Sequence, residues 1–235
     1  LKHSDLKPVP SPCLDDHMLD PSDFETKGVL SDTCSRIVLK CLYVARITRC
    51  DILWAVNSLA REVTKWNVAS DKRLFRLISY MHFTVDYVQT SFVGNTPSEC
   101  FLAMYCDASF AGDLRDSKST SGCYLVLAGS HTFCPISWIC KKQGAVSHSS
   151  SESEIISLDA ALRMEGIPAL MLWSLVVEVF EPTPKPLKSE LLKKSNSNLF
   201  KDIRQVLTEV DYVPYNIPLP PQNTRLVVFE DNEAV

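Results

Sequence analysis

The stretch AMYCDASFAGDLRDSKSTSGCYLVL, residues Ala103 to Leu127, decides the fold. An apolar run from Phe101 to Cys106 ends abruptly in an acid, Asp107, and a charged turn and a second apolar run follow. Short apolar runs divided by polar turns are typical of neighbouring β-strands. A carboxylate is costly to bury inside a strand, but it is tolerated at the carboxyl end, where ligands bind. Asp107 is therefore either a simple turn former or part of a functional site.

The composition is that of a globular protein with a buried core. The chain has 235 residues, of which 46% are hydrophobic and 22% charged, which favours one large domain or two small ones. The net charge of −4 argues against a simple basic nucleic-acid binder, although a local basic patch is compatible with it. The nine cysteines lack zinc-ligand spacing, so we interpret them as small buried hydrophobes in a reducing compartment. We see no signal peptide and no apolar run near the roughly 18 residues that span a membrane.

The first part of the chain is predicted to be mainly helical. Residues 1–30 are rich in proline and acids and are interpreted as a loop or linker. Apolar residues at three- and four-residue spacing predict helix over residues 31–66, and Ser70 is expected to cap a second helix with an apolar stripe from Leu74 to Val85. The turn cluster GNTPSE divides this helical segment, residues 31–95, from a second domain, residues 96–235.

The second domain is predicted to be an α/β fold with a mixed sheet. Three short apolar runs indicate a three-stranded antiparallel meander, over residues 101–106, 123–128 and 132–138. Serines 149–151 can begin a helix, which Pro168 should break or kink. The run RLVVFED then predicts a further strand that also ends in an acid, Asp231. Residues 181–224 are weakly patterned and are interpreted as an insertion, with one short helix over residues 200–210.

Acids at two strand ends and early in one helix form a candidate metal site. The strand-end acids are Asp107 and Asp231, and the helix offers Glu152 or Glu154. Three converging carboxylates repel one another, and hard divalent cations such as Mg²⁺ relieve that repulsion. Spacing alone is a weak signal, because single acids at these positions are common as turn formers or on solvated helix faces.

The sequence also resembles the ribonuclease H domain of copia-type retrotransposon Pol polyproteins. The matching run is YCDASFAGDLRDSKSTSGCYLVLAGSHTFCPISWICKKQGAVSHSSSESEIISLDAA, and FEDNEAV resembles the family's third acidic strand end. Upstream, LYVARITRCDILWAVNSLAREV is similar to the segment that joins the reverse transcriptase to this nuclease. The polymerase's Tyr-x-Asp-Asp pattern is absent, so we expect no polymerisation by this chain. The resemblance implies a ribonuclease H-like mixed sheet, preceded by the end of the reverse transcriptase.

The resemblance assigns catalytic and metal-binding roles to Asp107, Glu154 and Asp231, and it makes Glu152 a neighbour. It implies hydrolysis of the RNA strand of RNA–DNA hybrids with two Mg²⁺ ions, for which Mn²⁺ can substitute. The family's fourth acid lies in a later helix beyond Val235, which puts the activity of this piece alone in question. The implied partners are the hybrid and the upstream reverse transcriptase domain of the same polyprotein. We expect no membrane association and an intracellular location, in the cytoplasm, the retrotransposon particle or the nucleus.

Two polar runs are candidate contacts to nucleic-acid backbone oxygens and phosphates. A turn or edge role for the first run and a solvated loop for the second are equally compatible with the sequence. The candidates are Ser119, Thr120, Ser121, Lys141, Lys142 and Gln143.

Three other functions remain open. The first is a truncated or decayed, non-catalytic module of the same fold that supports the polymerase or binds a partner. The second is a transposase or integrase, but there the last acid usually lies on a helix, in the order Asp, Asp, Glu. The third is a scaffold that docks partners through the helical segment, which an exposed apolar stripe over residues 71–85 would support.

Overall fold

Among the described residues, four α-helices precede the sheet: α1 (Pro21–Glu25), and within the helical segment α2 (Cys34–Ile47), α3 (Leu53–Ala60) and α4 (Val68–Phe83). We describe the structure, a computed structural model, over residues 5–112, 116–180 and 224–232. The side chain of Asn67 caps α4 by accepting the Ser70 amide at 2.8 Å. The prediction that Ser70 is the cap was therefore wrong by one turn. The Ser70 hydroxyl is buried and donates to Glu62.

The apolar stripe of α4 is largely internal. Leu74 and Leu77 are fully buried and pack against Ile52 and Leu59 in a core shared with α2 and α3. Only Val85, which lies beyond the end of α4, is strongly exposed, at 73%. The exposed stripe that would have supported a scaffold function is therefore not present on α4.

Five described strands form one open mixed sheet in the order β1-β4-β3-β2-β5. They are β1 (Phe92–Val93), β2 (Phe101–Ser109), β3 (Thr120–Gly129), β4 (Thr132–Lys142) and β5 (Leu226–Phe229). The strands β2, β3 and β4 pair antiparallel as consecutive neighbours, whereas β5 pairs parallel to β2. This confirms the predicted α/β fold, a three-stranded meander followed by a helix and a further strand, and it is compatible with a ribonuclease H-like sheet. The short edge strand β1 was not predicted, because two residues carry no periodicity.

The predicted helix break is a π-helical turn rather than a stop. Helix α5 (Ser150–Ala161) passes through this turn, Leu162–Gly166, directly into α6 (Ile167–Phe180). Pro168 lies just after this π-helical turn, and the interruption of the regular α-helical hydrogen bonding there accommodates its missing N–H. Gly166 lies against the sheet, and a Cβ there would be 3.0 Å from Leu226 and 3.1 Å from the Met104 sulfur. The absence of a side chain thus lets the helix approach the strands closely.

The two faces of the sheet carry different layers. Side chains of Leu102, Met104 and Cys106 point to one face and form a core with α5 and α6. On the other face, the Trp138 indole donates to the Ala45 carbonyl at 2.9 Å, and the Asn57 amide donates to the Cys140 carbonyl at 2.8 Å. The helical segment therefore lies against the opposite face of the same sheet, over β4.

The nine cysteines are all described, and all are free thiols. Five are buried, which agrees with their interpretation as small core residues. The continuous helix Ser150–Phe180 is long and apolar enough to cross a membrane by length and composition, although no single apolar run in the sequence indicated this. Its first part packs on the sheet. One such helix is weak evidence for a membrane span, because helices of soluble proteins pass the same test.

The predicted insertion falls almost wholly outside the described residues, as do its predicted short helix and the turn residues 113–115. In the predicted linker, residues 1–30, the described part holds α1 and a 3₁₀ turn, Asp16–Met18. The proposed boundary near residue 95 stays a prediction.

We expect Met104→Ala to lower the free energy of unfolding by about 2–5 kcal/mol, because Met104 is fully buried between the sheet and α5. Met171 on α6 is 60% exposed, so Met171→Ala removes the same side chain with a change within about 0.5 kcal/mol. Urea unfolding followed by circular dichroism measures both. Equal losses in the two variants would contradict this assignment of the core.

Candidate metal centre

Parallel pairing of β2 with β5 brings two acids to one edge of the sheet. The register pairs Tyr105 with Phe229, whose rings stack with centroids 4.8 Å apart. Asp107 and Asp231 each lie two residues further along. Because parallel strands end at the same edge, the two carboxylates meet there.

Helix α5 supplies the third acid. Its N-cap Ser149 accepts the Glu152 amide at 3.1 Å, which fixes the start of the helix one turn from the strand ends. The Ser157 hydroxyl donates to the Asp107 carbonyl at 2.8 Å and ties the helix to β2. Glu154 is thereby held above the ends of β2 and β5, and it is only 6% exposed.

The three carboxylates form a tight cluster. Asp107, Glu154 and Asp231 each offer an oxygen within 4.8 Å of the others. Asp107 and Asp231 are exposed, whereas Glu154 is buried. The Glu154 Oε2 atom has no hydrogen-bond partner among the described residues, which is rare for a buried carboxylate oxygen. Burial, together with the negative charges of Glu230, Asp107 and Asp231, raises the pKa of Glu154 to about 7.

Sequence reasoning missed one acid next to the cluster, Glu230. Both of its carboxylate oxygens are buried without a hydrogen-bond partner among the described residues. Burial raises the pKa of Glu230, and the charges of Asp231 and Asp107 add to that effect, while the nearby Asn232 amide opposes it. The signal was present in the sequence, because the period of two in a strand turns Glu230 to the face opposite Asp231, which α5 covers.

This donor set fits a hard divalent cation. Carboxylate oxygens are the ligands that Mg²⁺ and Mn²⁺ prefer, and the unpartnered Glu154 Oε2 is an oxygen that a cation would satisfy. Asp107, Glu154 and Asp231 are the residues that would hold it, as predicted from the sequence. Glu152 instead accepts the His148 amide at 2.6 Å at the helix start, so Glu154 and not Glu152 is the acid that converges.

The six candidate nucleic-acid contacts fall into a buried group and a more accessible group. Ser119, Ser121 and Gln143 are buried, and Gln143 donates to both the Ser121 hydroxyl and the Ser153 carbonyl. Gln143 and Ser121 thus join β3 to α5, while the Ser119 hydroxyl accepts the Ala111 amide at 3.1 Å. All three side chains are occupied internally.

The other three candidates are more accessible. Thr120 is half-buried, Lys141 is exposed, and Lys142 pairs with Asp116 at 2.8 Å. Of the six, Thr120 and Lys141 are thus the best placed to meet a ligand.

Comparisons with known proteins point to mobile genetic elements. The chain is 34% identical over 166 residues to the retrovirus-related Pol polyprotein from transposon RE1 of Arabidopsis thaliana, which covers 70% of this chain and 11% of that protein. It is 38% identical over 128 residues to the corresponding polyprotein from transposon RE2, covering 52% of this chain and 8% of that protein. A protein named secreted RxLR effector protein 161, from Plasmopara viticola, is 32% identical over 51% of this chain and 80% of its own length.

No protein-family model and no solved structure matches the chain. The chain spans about a tenth of the length of the two polyproteins that it matches.

The acidic cluster should make the metal-free protein sensitive to pH. Because the pKa of Glu154 is raised from 4.5 to about 7 in the folded state, the folded protein holds a proton that the unfolded chain releases. The free energy of unfolding in EDTA should therefore fall as pH rises from about 4.5 to about 7. Glu154→Gln should flatten this dependence and stabilise the protein at pH 7, as measured by thermal unfolding across that range.

Two further variants separate this effect from general charge effects. Glu230→Gln should shift the pH dependence in the same direction as Glu154→Gln, because it removes the largest charge acting on Glu154. Glu25→Gln, an exposed substitution on α1, should leave the pH dependence unchanged. Identical profiles for the wild type and Glu154→Gln would refute the raised pKa.

Proposed function

This chain belongs to the retrovirus-related Pol polyproteins of copia-type retrotransposons, and we propose that its sheet and acidic cluster form a ribonuclease H. The substrate would be the RNA strand of RNA–DNA hybrids made during reverse transcription. The observation that carries the proposal is the convergence of Asp107, Glu154 and Asp231 within 4.8 Å of one another. They come from two parallel strand ends and one helix, in the order Asp, Glu, Asp.

The residues present fit a two-metal hydrolysis of phosphodiesters. Asp107, Glu154 and Asp231 would hold two Mg²⁺ ions, or Mn²⁺ in their place, which when bound activate the attacking water and stabilise the departing 3′ oxygen. The chain's own part is to keep three like charges together at one point. The Ser157 hydroxyl donates to the Asp107 carbonyl at 2.8 Å and so helps fix the Asp107 backbone, and Glu154 is buried beside it.

Protonation of Glu154 competes with cation binding at neutral pH. A carboxyl with a pKa of about 7 is half protonated at pH 7, and the proton must leave before both oxygens can serve as ligands. Cation affinity should therefore rise as the pH is raised from 6 to 8. This follows from the same burial that leaves the Glu154 Oε2 atom without a partner.

Other parts of the proposal rest on the family. Selection of RNA would use 2′-hydroxyl contacts and hybrid shape rather than base sequence. The upstream reverse transcriptase domain of the same polyprotein would present the hybrid, inside the cell and without a membrane. The strand that ends in Asp231 favours this nuclease over a transposase or integrase, in which the last acid usually lies on a helix. A non-catalytic module of the same fold is the alternative outcome of the experiment below.

We expect the chain to cut the RNA strand of a labelled RNA–DNA hybrid in the presence of Mg²⁺, and Asp107→Asn to lose this activity by a factor of 100 or more, because one metal ligand loses its charge. Denaturing gel electrophoresis of the labelled RNA measures both. The same assay on RNA–RNA duplex should show no cutting.

Isothermal titration with Mn²⁺ provides a readout independent of cutting. The wild type should bind and Asp107→Asn should bind at least tenfold more weakly, while Glu25→Gln serves as the matched control. Cation binding without cutting would identify the non-catalytic module, and absence of both would refute the proposed site.

A further inference from the structure

The sheet face that carries Asp107 also borders a cavity under the helical segment, which we call the cleft. Side chains alternate along a strand, so Asp107 and Ser109 project from the same face of β2, roughly 6.7 Å apart. The register pairs Asp107 with Gly122 and Ser109 with Thr120. Because Gly122 has no side chain, β3 places no side chain over the sheet next to Asp107.

Helix α3 forms the wall of this cleft. A cavity of about 70 Å³ lies between the sheet and the helical segment. Its lining includes Trp54 and Ser58 from α3 and Arg61, the residue that follows α3, together with Ser109 and Thr120 from the sheet. The Asn57 amide donates a hydrogen bond to the Cys140 carbonyl at 2.8 Å, which holds α3 against β4. The wall is therefore supplied by a segment that precedes the sheet in the chain.

The charges in the cleft differ from those at the acidic cluster. Arg61 is exposed and forms no ion pair with any described residue. The second arginine of the cavity, Arg73, is occupied by Asp16 and by Glu62. Arg61 is thus the cation of the cleft that remains available to an anion.

Trp54 adds an aromatic surface to the same wall. It is 45% exposed, which is unusual for a large indole on a helix that otherwise packs inward. An exposed ring, an arginine without an ion pair among the described residues and three hydroxyls form a combination that suits nucleic-acid strands: the ring stacks on a base or sugar, the guanidinium holds a phosphate, and the hydroxyls meet backbone oxygens.

We infer that this cleft, with Arg61 and Trp54 as its principal contacts, binds the sugar-phosphate backbone of the hybrid next to the acidic cluster. The inference rests on the proposed function and adds to it the surface that retains the substrate. The acidic cluster alone repels a polyanion, and the whole chain carries a net charge of −4. A local cation on the adjoining wall offsets that repulsion where the strand must lie.

The experiment is a fluorescence anisotropy titration of a labelled RNA–DNA hybrid in EDTA, where no hydrolysis depletes the probe. Arg61→Ala should weaken binding about fivefold or more, and it should reduce the slope of log K against log salt by about 0.9, the value for one phosphate contact. Arg61→Lys should restore the slope. Trp54→Ala should weaken binding about fivefold or more with no change in the slope, because stacking releases no counterion.

Arg36→Ala is the matched control, since Arg36 is an exposed arginine on α2 that does not line the cavity. It should leave the affinity and slope unchanged. Equal weakening by Arg36→Ala and Arg61→Ala would overturn the inference, as would an unchanged slope in Arg61→Ala. Thermal unfolding of each variant confirms that it is folded, and Arg61→Gln, which removes the charge but keeps most of the side chain, carries the test if Arg61→Ala is unfolded.

The binding and cutting experiments distinguish failure of the proposed cleft from failure of the proposed nuclease. Binding that depends on Arg61 in a protein that does not cut would support the cleft and refute the nuclease. If the protein cuts the hybrid but Arg61→Ala binds it with unchanged affinity, the nuclease is supported and the cleft is overturned.

Discussion

The site depends on the parallel ladder between β2 and β5. This ladder joins only four residue pairs, from Leu102–Leu226 to Tyr105–Phe229. It is extended at one end by the Leu102 amide, which donates to the Arg225 carbonyl at 3.0 Å, and by the Arg225 guanidinium over the Phe101 ring. At the other end the two strands bring like charges together. Backbone hydrogen bonds and ring contacts thus hold Asp107 and Asp231 against their mutual repulsion.

Burial of Glu154 gives the cluster its chemical character. Two exposed aspartates side by side would be screened by water and would bind a cation weakly. A buried glutamate above them, one of whose oxygens has no hydrogen-bond partner within the described parts of the chain, is poorly solvated and therefore gains more from a cation or a proton. The negative charge of Glu230, on the sheet face that α5 covers, makes the ionised form of Glu154 still less favourable. The arrangement lowers the stability of the metal-free protein, which is the usual relation between a functional site and the fold that holds it.

Features that depend on local pattern were predictable from the sequence. Short apolar runs divided by polar turns located β2, β3, β4 and β5, and an acid directly after an apolar run marked Asp107 and Asp231, although β2 continues two residues past Asp107 to Ser109. Features that depend on how the helices and strands pack against one another could not be predicted from the sequence. Ser121 and Gln143 lie in two polar runs that the sequence suggests are accessible, yet α5 covers both residues, and the Ser153 carbonyl accepts the Gln143 amide. The exposure of a polar side chain is thus a property of the packing.

Docking of the helical segment gives the sheet its second layer and shapes the approach to the cluster. Trp138 and Cys140 on β4 belong to the core of the helices, not to that of α5. Residues of β4 also contact the other layer, since Cys134 and Ile139 pack against the core that α5 shares with the sheet. Under the proposed function, α3 would limit how far a bound strand extends across the sheet. The two parts of the chain would then together determine where the proposed substrate lies.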